Sequence, residues 1–477
     1  ACPGVNDSGI DPNCPMPVFV RPGKGDFHEG LKVHFGDIIP KATGDDVLCG
    51  RSLVCRDNND WAPRIGLAWQ TTARTTVRTG YGIYYGQDTG NPVFDLGRNL
   101  GFRDSNFSVD PVPIANLDDP WGTKPGGAVV CSNWTGPCVA GLYSYRNDPE
   151  RRTPYVQQYM LNVQRQLTDS LVLEVGYQGN KGTKIQRMYG FNKAIGKSGP
   201  DDTRTLAQRQ PFGANVYGII QTIGGGVNSN YNALGVKVQQ RFSRGVTYLI
   251  GYTWSRAIDN GSAIRTQAGD NLFPANNYNF HQERGLSQFH TKQRLTASIL
   301  YEIPLRFQHR AVQALIGGWQ VGSILTLSDG SPQNGGNCGD ISSVGEGNRG
   351  DATGLSLFPE TKTVEQFFAR NPTTGRGPAG ITCDVRDSRG INSLTYRQGN
   401  VNRNPYIGPG VINWDFSLTK SFQIIERSQL EFRFESFNFA NHPNWNFPDT
   451  GVTSLTYGRV TSAREMRTNQ FALKFVF

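Results

Sequence analysis

Hydrophobic and polar residues alternate along most of this chain with a period of two. The last ten residues, TNQFALKFVF, show it most plainly. Phe471, Leu473, Phe475 and Phe477 share one face, and Gln470, Ala472, Lys474 and Val476 the other, because successive strand side chains point to opposite sides. The pattern recurs upstream in Ile65, Leu67 and Trp69, in Tyr81, Ile83 and Tyr85, in Tyr159, Leu161 and Val163, and in Leu171, Leu173, Val175 and Tyr177. Leu234, Val236 and Val238 lead across Ser243-Arg244-Gly245 to Tyr248, Ile250, Tyr252 and Trp254. Leu295, Ala297, Ile299 and Tyr301 follow, then Trp319, Val321, Leu325 and Leu327, then Trp414, Phe416 and Leu418, then Leu430, Phe432 and Phe434. These segments predict about eleven strands between residues 61 and 477. The stretch 216–223 is strand-like as well and fits an extension of the sheet. The link 306–318 holds room for one or two helical turns.

The links between strands alternate in length. Thr168-Asp169-Ser170 and Ser243-Arg244-Gly245 are tight turns, whereas 87–152, 180–230, 257–291 and 328–410 are long and irregular. Charge is asymmetric too. Glu174, Lys237, Arg241, Arg294, Glu431, Arg433 and Glu435 all lie on the polar face, and only Arg165 and Lys420, both beside turns, interrupt the apolar one. Short turns at one end, long loops at the other and an uncharged aromatic face describe a transmembrane β-barrel, in which a Lys or Arg on the lipid side costs roughly 2–4 kcal/mol at the midplane. A soluble β-sandwich with one buried face is the competing architecture; it predicts loops of similar length at both ends.

Composition agrees with strands. The chain has 57 Gly, 26 Phe and 18 Tyr among 477 residues, and no window approaches the roughly 20 apolar residues of a membrane helix. The net charge of +9 is spread without a dense basic run, which argues against nucleic acid as a partner. The eight cysteines form neighbouring pairs in polar stretches: Cys2 and Cys14, Cys49 and Cys55, Cys131 and Cys138, Cys338 and Cys383. None has zinc or redox spacing, so disulfides in an oxidising compartment are expected, with connectivity open. A Cys338–Cys383 bridge would close the longest loop and stabilise it by roughly 4 kcal/mol on a chain-entropy estimate.

The segments NNDWAPRIGLAW, TVRTGYGIYYG, TPYVQQYMLNVQRQL, YNALGVKVQQRFSRGVTYLIGYTWSRAID, HQERGLSQFHTKQRL and FESFNFANHPNWNFP resemble, in order and spacing, the C-terminal barrel region of Oar-like TonB-dependent outer-membrane receptors. The resemblance spans about 58–477. It implies a 22-stranded barrel with an N-terminal plug inside it, and uptake powered through contact with a periplasmic energy-coupling protein. About eleven strands would be the C-terminal half of such a barrel, and neither a plug nor a coupling segment is visible in this sequence. Residues 1–60 are then expected to be an extracellular loop region carrying Cys pairs, and 61–477 the strands and loops. The remaining half and the plug would come from the same precursor or from a second chain. A smaller closed barrel, with further strands in 1–60 or 216–223, is the alternative. Ala1-Cys2-Pro3 has neither a charged start nor an apolar core, so a removed export signal or a longer precursor is expected.

Catalytic chemistry is weakly represented. His28, Glu29 and His34 have the wrong spacing for a zinc-protease helix, the Gly-rich stretches follow no strand-to-helix pattern, and no cofactor is implied. An enzyme is not expected. Trp121, Trp134, Tyr143 and Tyr145 are candidate ligand-loop aromatics, and Lys237, Arg241, Arg294, Glu431, Arg433 and Glu435 candidate lumen-facing groups. The expected function is import of an unidentified substrate by an outer-membrane receptor. The alternative is a surface scaffold whose disulfide-tied loops bind other proteins.

Overall fold

The computed structural model describes residues 54–86, 142–211, 217–263, 274–335, 338–339, 347–384, 399–425 and 428–477, with the backbone of four short strands between residues 5 and 43. The molecule is organised by one antiparallel sheet whose main path has eleven strands. They are β1 Arg64–Thr72, β2 Thr75–Tyr85, β3 Tyr155–Gln166, β4 Leu171–Gly190, β5 Tyr217–Ser243, β6 Val246–Asp259, β7 Gln293–Glu302, β8 Trp319–Ser328, β9 Val411–Ile425, β10 Ser428–Phe437 and β11 Thr468–Val476. Each pairs with its neighbour in the chain, so the spatial order is the sequence order. Local hairpin pairing of this kind is what alternation plus short links dictates. The sheet is open: among the described residues, β1 and β11 each lack a second partner.

The hairpin turns show why the links could be so short. Arg244 and Gly245 both have positive φ, 53° and 80°, between the paired Ser243 and Val246. That is the two-residue turn whose twist matches the flanking strands. A Cβ on Gly245 would lie 2.8 Å from the Glu302 carbonyl oxygen, so both the backbone angle and the neighbouring strand require glycine here. At the same end, the link between β7 and β8 forms the helix Arg310–Ile316.

β4 and β5 are 20 and 27 residues long. At about 3.3 Å per residue β4 alone spans about 65 Å, twice the roughly 30 Å of a bilayer's hydrocarbon core. Their upper halves therefore project past the membrane. There, 217–223 continues β5 and pairs in parallel with the short strand Leu142–Asn147 while also pairing with β4. It adds length to the sheet rather than a further barrel strand. Lys184, at φ 58°, sits where the β4–β5 register shifts, so the projecting part changes phase and its side chains are buried: Arg187, Met188, Ile220 and Ile223 are each 3 % exposed or less.

The apolar face keeps one phase across the sheet. Phe434 lies opposite Phe471, Phe432 opposite Leu473 and Leu430 opposite Phe475, with ring centroids 5.0 Å apart for Phe434 and Phe471. Ile65, Trp69, Phe471 and Leu473 are each more than 60 % exposed, an arrangement water disfavours and lipid does not. Of the two charged residues on this face, Arg165 and Lys420, Lys420 is not left in hydrocarbon. Its ammonium group donates to the Gly317 carbonyl at the end of the helix Arg310–Ile316 and lies 5.3 Å from the Trp319 ring and 5.1 Å from that of Phe422. A lysine beside a turn thus reaches the polar boundary.

Candidate functional site: the charged inner face and the loop cap

On the opposite face the polar side chains pair with one another. Glu174 lies across from Lys237 with a 3.8 Å N–O separation and accepts from Asn162 at 2.9 Å. Arg433 meets Glu431 at 2.5 Å and Glu435 at 3.8 Å, and Glu435 also accepts from Gln470. Arg241 and Arg294 are exposed and form no ion pair among the described residues. Four of the six lumen-facing candidates are therefore bound to partners on the same face, and two are not. This face is polar and ion-paired where the opposite face is apolar.

Above the strands, the long loops fold together. Phe367, Phe368, Ile381, Tyr406, Tyr457 and Val460 form a buried cluster, with Trp445 and Phe447 packed against it. They come from the β8–β9 and β10–β11 loops, so two loops some tens of residues apart in sequence share one core. Phe368 sits 4.8 Å from Tyr406 and 5.7 Å from Phe447 between ring centroids. The Tyr457 hydroxyl donates to that of Tyr406 at 3.1 Å, and burial pushes the Tyr406 phenol up to about 12. The disulfide Cys338–Cys383 lies within the first of these loops. Cys55 is also disulfide-bonded, and no described cysteine is free.

Beside this core is a buried ionic cluster that joins strand ends to loops. Arg403 pairs with Asp259 at the top of β6, and its Nε donates to the Glu283 carbonyl at 2.8 Å. Arg349 pairs with Glu283 at 2.9 Å, and Arg187 lies 4.0 Å from the other Glu283 oxygen while donating to the Asn260 carbonyl at 2.6 Å. All five side chains are at most 5 % exposed. Three guanidiniums share two carboxylates, and each also donates to a backbone carbonyl: Arg403 to Glu283, Arg187 to Asn260 and Arg349 to Gln282. Such a cluster fixes one loop arrangement, since removing one partner leaves a buried charge uncompensated. Sequence inspection missed it because its members, at 187, 259, 283, 349 and 403, follow no period and stand among other polar loop residues.

Of the candidate loop aromatics, Tyr145 is half-buried in the short strand Leu142–Asn147, and for Tyr143 only the backbone of that strand is described. Trp121 and Trp134 lie outside the described residues, as do Cys2, Cys14, Cys49, Cys131 and Cys138. Among the described residues no group of three or more His, Cys, Asp and Glu could hold a metal ion. Among the described residues no helix is long and apolar enough to cross a membrane.

The family model of the outer membrane beta barrel domain matches residues 25–470. This chain belongs to that family, and it is a protein of the bacterial outer membrane. The match begins upstream of β1, in the region 1–60. Comparison with curated proteins finds no match. Among solved structures the chain is similar to the outer membrane transporter YddB from Escherichia coli, at 11 % identity and a TM-score of 0.43, covering 87 % of this chain and 40 % of that one. It is also similar to the siderophore receptor PiuA from Acinetobacter baumannii, at 10 % identity and a TM-score of 0.38, covering 87 % and 35 %. The FrpB iron transporter from Neisseria meningitidis gives 10 %, 0.37, 87 % and 39 %. The chain spans well under half the length of each of these.

Proposed function

We propose that this barrel chain is the C-terminal half of an energy-coupled uptake receptor, in which the loop cap captures a substrate outside the cell and the charged inner face contacts a plug. The observation that carries this is the pairing of a polar, ion-lined inner face with long loops that fold into one ordered cap above it. A barrel that only anchors has no need of both. The unpaired edges of β1 and β11 are the places where the other barrel strands attach, whether from the same precursor or from a second chain. Arg241 and Arg294, free among the described residues, are the contacts offered to the plug. Import further requires the periplasmic energy-coupling protein that the family resemblance implies, reached through the plug, and outer-membrane lipid around the apolar face.

The test is the intact mass and N-terminal sequence of the protein extracted from outer membranes, with and without boiling. A folded species containing further strands and a plug supports the proposal. A folded species consisting of these 477 residues alone overturns it.

A further inference from the structure

A groove of about 1000 Å³ lies under the rim of the loop cap, and it opens on the outer face of the sheet, not on the lumen. Its floor is one cross-strand row: Tyr252 pairs with Leu295, Leu295 with Leu327, and Leu327 with Ile412. Ile412 has the same strand phase as Trp414, Phe416 and Leu418, and Leu418 lies opposite Phe434, itself opposite Phe471. The floor is therefore the extracellular end of the lipid-facing surface. The wall above it is made by Phe367 and Trp445 of the cap core, 6.2 Å apart between ring centroids.

The rim is cationic. Lys292 and Lys362 both line the groove and are exposed. The Lys362 ammonium lies 4.5 Å from the Phe358 ring and 4.8 Å from that of Phe367, which holds it at the edge of the apolar wall. Burial first, then the nearby charges of Arg256 and Lys292, disfavour protonation of His290, another lining residue. Gln293, Ser328, His442 and Asp329 add to the polar lining, and Asp329 is the single acid among the lining residues, against Lys292 and Lys362.

We propose that this groove binds a phosphorylated, multiply acylated glycolipid of the outer leaflet, with acyl chains along the Tyr252–Ile412 row and phosphate on Lys292 and Lys362. Two placements favour that occupant. The floor is continuous with the surface that meets the membrane, so a soluble partner would have to displace lipid to reach it. The groove also sits on β6 to β9, in the middle of the sheet, away from the edges where further barrel strands attach. The phosphate-to-ammonium pairing at the boundary of an apolar slot is charge-assisted recognition in a partly desolvated place. Because the groove lies on the face opposite the lumen, the inference does not depend on the uptake proposal.

The experiment is a titration of the full-length protein, purified in detergent, with a diphosphorylated hexa-acyl glucosamine disaccharide lipid, read by native mass spectrometry. K292E/K362E is expected to weaken retention about tenfold or more, and Leu327→Trp, which fills the floor without changing charge, to weaken it comparably. Folding of each variant is checked by its heat-dependent migration; should the double variant fail to assemble, K362E, at an exposed loop position, reads the same charge. Removing the phosphates from the lipid is expected to abolish the difference between wild type and K292E/K362E. Equal retention by wild type and both variants would overturn the site, and phosphatidylglycerol retained as tightly as the glycolipid would overturn its assignment to that lipid class.

Discussion

Leu473 and Gln470 sit three positions apart on β11 and face opposite media. Leu473 is 69 % exposed on the apolar face opposite Phe432, whereas Gln470 donates to Glu435 at 2.6 Å on the polar face. Lysine at 473 meets lipid near the strand centre and should cost roughly 2–4 kcal/mol. Lysine at 470 gains a carboxylate and should be tolerated. The measurement is the fraction of each variant that reaches the heat-modifiable folded form; equal yields would overturn the assignment of the two faces, and the reverse order would mean that the strand phase is inverted. His290 carries a second expectation. Burial first, then Arg256 and Lys292, hold its imidazole below the ordinary histidine value, with Asp329 opposing, and its Nδ1 accepts the Ala257 amide at 3.2 Å. A depressed histidine leaves the folded state binding fewer protons than the unfolded one, so stability is complete above the unfolded value near 6.5 and falls as pH drops through it and through the lower folded value. The loop cap should thus loosen in mild acid, seen as lower protection factors for amide exchange at Ala257 and Ser287 once the intrinsic pH dependence of exchange is divided out, and His290→Gln should flatten that pH response. An unchanged response in the variant would assign the effect elsewhere.

At the scale of elements, the strands and the cap are held by different forces. A strand such as β10 is specified by neighbours two positions apart: Leu430, Phe432 and Phe434 outward, Glu431, Arg433 and Glu435 inward. That period is visible in the sequence, which is why the strand positions and their faces could be anticipated. The cap is specified by residues such as Phe368, Tyr406 and Tyr457, which meet across 38 and 51 positions of irregular chain. No local period encodes such a meeting, so neither the aromatic core nor the ionic cluster could be read without coordinates. The cluster ties the cap to the strand ends. Glu283 receives Arg349 and faces Arg187 while its backbone holds Arg403. Glu283→Gln removes one of two buried carboxylates and should destabilise the cap by roughly 3–5 kcal/mol, without touching the membrane-spanning ladder. Protease nicking within 347–384 should accelerate severalfold while the unboiled barrel still migrates as folded. Loss of both properties together would show that cap and barrel fold as one unit.

At the scale of the whole molecule, the arithmetic of strand direction limits how the sheet can close. Ten consecutive antiparallel pairings separate β1 from β11, so these two edge strands run in the same direction. Closing the sheet on itself would demand one parallel pair in an otherwise antiparallel barrel, and bacterial single-chain barrels have even strand numbers. Leaving it open would expose the unpaired amides and carbonyls of β1 and β11 to hydrocarbon, at several kcal/mol for each unsatisfied group. Both routes cost more than adding an odd number of further strands between β11 and β1, which restores antiparallel pairing at each edge. The expected outcome is that these 477 residues, refolded alone into lipid vesicles, give no compact monomer resistant to detergent before boiling, and instead associate through their edges. Adding the strands that complete the barrel should convert them to one heat-modifiable species. A compact, detergent-resistant monomer of 52.6 kDa from this sequence alone would require β1 and β11 to pair in parallel. Cysteine cross-linking of Leu67 to Leu473 would then form, whereas in the completed barrel those positions are separated by the added strands and should not react.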